Sequence, residues 1–130
     1  MGRAINKTSF SQRDFDAFGH KLHRCLNALE LLLERPGFGC GEASIGAELE
    51  LYLLDRQGRP LPKNIVIQKQ FNDSQLALEL NRYNLEYNLS PVKATGSPFS
   101  SLEQQMLDAL LQLRVLTEKE GGTVLPIGIL

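Results

Sequence analysis

The chain has 130 residues, 42% of them hydrophobic and 22% charged, with a formal net charge of −1. That is enough for one domain with a real core. The near balance of charge excludes a general attraction to nucleic acid or to an anionic membrane.

Cys25 and Cys40 form neither a disulfide framework nor a Cys-x-x-Cys motif, which points to a reducing compartment. The first residues carry no apolar signal core. Leu29 to Leu33 is interrupted by Glu30 and is far too short to span a bilayer. The expected location is the cytoplasm.

Ser11, or the nearby Thr8 or Ser9, caps an expected helix reaching about Glu34. Phe15, Phe18, Leu22, Cys25 or Leu26, Leu29 and Leu33 recur along it at helical spacing and form an apolar stripe. Arg35-Pro-Gly stops it, and Phe38-Gly-Cys-Gly follows as a connector. The run Ile45 to Leu54 reads as a strand. It sends Glu48, Glu50 and Tyr52 to one face and Ala47, Leu49, Leu51 and Leu53 to the other. Asp55-Arg-Gln-Gly58 is a turn signature.

Between Leu61 and Gln70, Ile65, Val66 and Ile67 predict a short strand, which Pro62 confines to an edge or to the outside of the sheet. Asn72-Asp-Ser74 offers a cap for a short helix containing Leu76, Leu78, Glu79 and Leu80. A second alternating strand follows, with Asn84, Glu86 and Asn88 on one face and Tyr83, Leu85, Tyr87 and Leu89 on the other. A polar loop from Lys93 to Pro98 leads into a helix opened by Ser100 or Ser101 and running to about Glu120. Ser100 and Glu103 fit a capping box there. Its expected buried stripe is Leu102, Met106, Ala109 or Leu110, Leu113 and Leu116. Thr123 to Leu130 reads as a last strand. The order predicts an α+β fold with a sheet covered on one face by helices.

Acidic groups inside otherwise apolar strands are costly when buried without a partner. They therefore mark a wet sheet face, a salt-bridged one, or a cation site. Glu48 and Glu50, two residues apart on a rigid strand, can converge on one or two magnesium ions, and Glu86 can add a third oxygen donor if the strands pair. Other candidates read as structural. His20 and His23 lack the cysteines or carboxylates that complete a zinc site. Cys25 reads as a small buried hydrophobe and Cys40 as loop filling. Gly37, Gly39 and Gly41 lack the Gly-Lys-Ser/Thr ending of a phosphate loop. Arg3, Lys7, Arg13, Lys21 and Arg24 read as a solvated helix face.

The segments Ile45-Gly-Ala-Glu-Leu-Glu-Leu-Tyr-Leu-Leu-Asp55 and Glu79-Leu-Asn-Arg-Tyr-Asn-Leu-Glu-Tyr-Asn-Leu-Ser-Pro91 resemble the start of the glutamate–cysteine ligase superfamily. The likeness is to its second bacterial and plant-type branch and to related carboxylate–amine ligases. It spans about residues 42 to 130, with residues 1 to 41 forming an N-terminal helix and connector. The resemblance implies part of a glutamine-synthetase-like catalytic domain, an antiparallel sheet whose acids hold magnesium and ATP phosphates. It implies metal and nucleotide roles for Glu48, Glu50 and Glu86; Glu79 matches an acid of the family pattern on the preceding helix, with a supporting or packing-edge role equally open.

The implied reaction joins the side-chain carboxylate of glutamate to the amine of cysteine through an acyl phosphate. The implied partners are ATP and small amino acids, with neither nucleic acid nor membrane. The chain stops inside the apolar run Leu125 to Leu130, which reads as a piece of a larger enzyme, inactive alone and prone to self-association. The alternative expectation is a noncatalytic α+β module that associates through an open sheet edge.

Overall fold

The computed structural model describes residues 7–128. The chain divides into two compact units, Met1–Gly41 and Glu42–Leu130. In the first, α1 (Gln12–Leu33) begins at Ser11 in a complete capping box. The Asp14 amide donates to the Ser11 hydroxyl at 3.4 Å, and the Asp14 carboxylate accepts from the Ser11 amide at 2.9 Å. Two helix-end donors are thereby satisfied reciprocally. Hydrogen bonds from Lys7 first, then Ser11, hold the Asp14 carboxyl well below the usual carboxylate range. Glu34 caps the other end.

The apolar stripe of α1 is present at the expected positions, yet no residue of this helix is buried. Cys25 and Cys40 are both exposed, so reading Cys25 as a buried hydrophobe is corrected.

The second unit runs β1 (Ser44–Ile45), β2 (Glu48–Asp55), α2 (Asn64–Phe71), β3 (Leu76–Leu78), β4 (Asn84–Asn88), β5 (Val92–Lys93), α3 (Pro98–Lys119) and β6 (Gly122–Leu125). Four strands form one sheet in the order β3-β4-β2-β6, every neighbouring pair antiparallel. A second ribbon pairs β1 with β5. The expected single strand over Ile45 to Leu54 is thus two pieces, broken at Gly46-Ala47, where the Ala47 carbonyl instead accepts from the Leu89 amide at 2.9 Å. β2 ends in the expected turn: the Asp55 carboxylate accepts from the Gln57 and Arg59 amides at 2.9 Å each.

One face of the sheet is apolar and carries the core. Leu51, Leu53, Leu85, Tyr87 and Val124 pack with Ile67 of α2 and with Leu102, Ala109 and Leu113 of α3. The chain is therefore an α+β fold with antiparallel sheets covered by helices. Among the described residues no helix is long and apolar enough to cross a membrane.

Two local expectations are reversed. The Ile65-Val66-Ile67 run is the helix α2, and the segment expected as a short helix is the strand β3. Asn64 explains the first. Its side-chain amide donates to the carbonyls of Asn81 and Asn84 at 2.9 and 3.1 Å, while its oxygen accepts from the Ile65 amide at 2.9 Å. That buried anchor fixes the start of α2, whose Ile67 then enters the core. Leu76-Ala77-Leu78 becomes a strand because β4 offers a ladder, with Leu76 opposite Tyr87 and Leu78 opposite Leu85.

α3 starts earlier than expected, with Ser97 as the cap residue and Pro98 in its first turn, and without any side-chain cap. Proline needs no amide partner there, so the Ser100–Glu103 box is not used. The last strand ends at Leu125, before Pro126. Ile129 and Leu130, expected to continue it, lie outside the described residues.

Candidate functional site

Alternation along β2 and β4 builds a second face opposite the core. The register sets Glu48 against Asn88, Glu50 against Glu86 and Tyr52 against Asn84. Directly opposed side chains have Cβ atoms about 4.5–5.5 Å apart, so Glu50 and Glu86 are a like-charged cross-strand pair. Glu79 directly follows Leu78, the partner of Leu85, so the next step of the β3–β4 register brings it level with Asn84. Glu79, expected on a helix, sits just beyond the end of a strand instead.

Glu48 and Glu50 are exposed, whereas Glu79, Glu86 and Asn88 are half-buried. The face closes over at Tyr52 and Leu54, both buried. Tyr52 donates its hydroxyl hydrogen to the Gly128 carbonyl at 3.3 Å.

The charges on this face act on one another. Partial desolvation pushes the Glu50 carboxyl above its ordinary range, and the carboxylates of Glu79, Glu86 and Glu48 push it further. Among the described residues the ion pairs are Lys7–Asp14, Arg59–Asp55, Lys63–Glu120 and Lys93–Glu42. None reaches Glu48, Glu50, Glu79 or Glu86. The Asn88 side-chain amide donates to the Glu86 carboxylate at 2.8 Å and fixes its orientation.

The four acids share a face without converging. Among the described residues no group of three or more histidine, cysteine, aspartate or glutamate side chains is placed to hold a metal ion. A cage made entirely of protein is therefore not what the face offers. Its hard oxygen donors do fit the usual magnesium arrangement, in which one or two carboxylates hold an ion that keeps several waters and substrate phosphates. Glu50 and Glu86, directly opposed, are the pair placed for that.

The acidic face is legible in the sequence, because period-two alternation decides which side chains share it. Nothing in the sequence marks Asn84 as a special group. The Asn84 side-chain oxygen is buried and has no hydrogen-bond partner. His20 and His23 are exposed on α1, where the His23 ring Nδ1 lies 2.9 Å from the Gly19 carbonyl. No protein family matches this chain, and neither a curated protein nor a solved structure shows significant similarity to it.

Proposed function

We propose that the unit Glu42–Leu130 supplies the magnesium-binding wall of an ATP-dependent carboxylate–amine ligase. Glu50 and Glu86 are its main oxygen donors, and Glu48 is the flanking one. The observation that carries this reading is Glu50 opposite Glu86, with Glu48 and Glu79 raising the local negative charge and no ion pair to these acids among the described residues. A cluster of that kind costs stability, and a divalent cation bound with its phosphates removes the cost. The resemblance of the two strand segments to the glutamate–cysteine ligase superfamily supplies the reaction class.

In that reaction the γ-phosphoryl group of ATP passes to the side-chain carboxylate of glutamate, giving ADP and an acyl phosphate. The amine of cysteine then attacks the acyl carbon, forming the amide and releasing phosphate. Bound magnesium supplies neutralisation of the triphosphate charge. Glu50 and Glu86 hold their carboxylates on a rigid sheet, and Asn88 keeps Glu86 turned to the face. None of these acids serves as a nucleophile. The phosphate-binding cations and the glutamate pocket belong on polypeptide outside this face, since a cleft needs a second wall.

Thermal melting with millimolar magnesium tests the metal role on the chain itself. The wild type gains melting temperature with added magnesium, and Glu50→Gln and Glu86→Gln lose most of that gain. A wild-type curve that ignores magnesium sinks the reading.

One observation favours a self-associating module instead. β6 is an edge strand of the sheet, and Ile127 just beyond it is exposed. An open edge invites another chain. Light scattering over a tenfold concentration range decides this: growth in mass with concentration supports association, and a constant monomer mass rejects it.

A further inference from the structure

We infer that the Asn84 end of the acidic face is the seat of a primary ammonium group, beside the metal-binding pair Glu50 and Glu86. The inference takes its substrate class, the amine partner, from the ligase reading.

Asn84 is 7% exposed, and its side-chain oxygen is shut from water with no hydrogen-bond partner. A buried acceptor left unmade is disfavoured, so an unpartnered one marks a place where a donor from outside belongs. Its obvious protein partner is already engaged: Tyr52, directly across the ladder, gives its hydroxyl hydrogen to Gly128. The Asn84 backbone is held at both ends. Its amide donates to the Asn81 carbonyl at 3.2 Å, and its carbonyl accepts from Asn64 at 3.1 Å. The side chain is therefore presented from a fixed strand.

Alternation puts Asn84 on the acidic face with Glu86 and Asn88, because Leu85 and Tyr87 belong to the core on the other side. Glu79 arrives beside it by the β3–β4 register. A neutral carbonyl oxygen next to a carboxylate has no hydrogen to give, so it selects a donor that is also positive. An ammonium group, with three hydrogens and one charge, meets both demands. Asn84 lies two residues from Glu86, about 7 Å along the strand, so an amine and a metal take adjoining positions on the face rather than the same one. Leu80 to Arg82, between β3 and β4, are exposed beside this end, with the Asn81 and Arg82 carbonyls accepting from Asn64 at 2.9 and 3.1 Å.

The test is a titration of the full chain followed by amide NMR, with methylammonium, tetramethylammonium and magnesium as separate probes. Methylammonium is expected to shift the backbone amide signals of Glu79, residue 84 and Leu85 with a dissociation constant no tighter than about 5 mM, the limit for so small a ligand. Tetramethylammonium carries the charge without any hydrogen to donate, and is expected to leave those signals in place. Asn84→Leu should abolish the methylammonium response and raise the melting temperature by about 5 °C, because it removes an unmet polar group. Asn84→Asp keeps the acceptor, adds a charge, and should bind methylammonium several-fold more tightly.

Equal responses to the two ammonium ions overturn the inference, as does methylammonium binding that survives Asn84→Leu or fails to tighten in Asn84→Asp. Magnesium shifts at Glu50 and Glu86 report on the ligase reading independently. Their absence would remove that reading while leaving an amine response at Asn84 intact.

Discussion

The same two strands, β2 and β4, present opposite physics on their two faces. Inward, Leu51, Leu53 and Leu85 are fully buried against α2 and α3. Outward, the neighbouring residues Glu48, Glu50 and Glu86 repel one another, and no ion pair among the described residues reaches them. Because strand side chains alternate strictly, neither face can shift without moving the other. The inner leucines thus hold the outer carboxylates in register, and the energy of the core maintains an arrangement that the acids alone would not adopt.

Truncating the inner face should give the largest effect. Leu85→Ala removes a fully buried side chain from the middle of the core and should cost about 2–5 kcal/mol. The neighbouring outward substitution Glu48→Ala, at an exposed position, should stay within about 0.5 kcal/mol of the wild type. Urea unfolding of both variants measures the contrast. Equal losses on the two faces would break the comparison.

Both faces can be read from the residue pattern because alternation sustained along β2 and β4 is hard to mistake. The same holds for α1 and α3, whose apolar residues recur over many turns. The reversals fall on short segments. Ile65-Val66-Ile67 is β-branched and reads as a strand, yet the side-chain hydrogen bonds of Asn64 make it a helix. Leu76-Ala77-Leu78 consists of good helix formers, yet the edge of β4 draws it into the sheet. Local preference is worth a few tenths of a kcal/mol per residue, so a single ladder or buried anchor outweighs it. In the site, the shared face of the acids follows from spacing. The unmet oxygen of Asn84 does not, because it depends on what surrounds it in space.

An intermediate effect is expected where β6 closes the sheet. Gly122 lies opposite Asp55, and a Cβ there would press on the Leu54 carbonyl oxygen and stand 2.5 Å from Leu61 Cδ2. The backbone oxygen cannot yield as a flexible side chain can. Gly122→Ala should therefore destabilise the fold by about 1–3 kcal/mol, the usual range for overpacking. The inner face thus tolerates neither loss nor gain of volume. A melting temperature equal to the wild type's would show that β6 can slide outward, and that the sheet's packed side is softer than its geometry implies.

The smallest effect carries the opposite sign and belongs to the acidic face. Glu50 has a raised folded-state pKa compared with its ordinary value of 4.5. Between 4.5 and that raised value the folded chain keeps a proton that the unfolded chain has lost, so stability falls as pH rises through the window. At neutral pH the repulsion is fully present. Glu50→Gln should then stabilise the protein by about 0.2–1 kcal/mol, the scale of one cross-strand pair. The gain should fade below pH 4.5, where the wild-type side chain is itself neutral. Urea melts at neutral and acidic pH measure it. Repeating the neutral melts with millimolar magnesium sharpens the comparison. A cation held by Glu50 and Glu86 stabilises only the wild type, so the order of the two proteins should invert. If Glu50→Gln is more stable with and without magnesium, the outer face is a strained surface without a metal. If it is less stable in both, the carboxylate of Glu50 has a protein partner, and the contrast between the two faces fails.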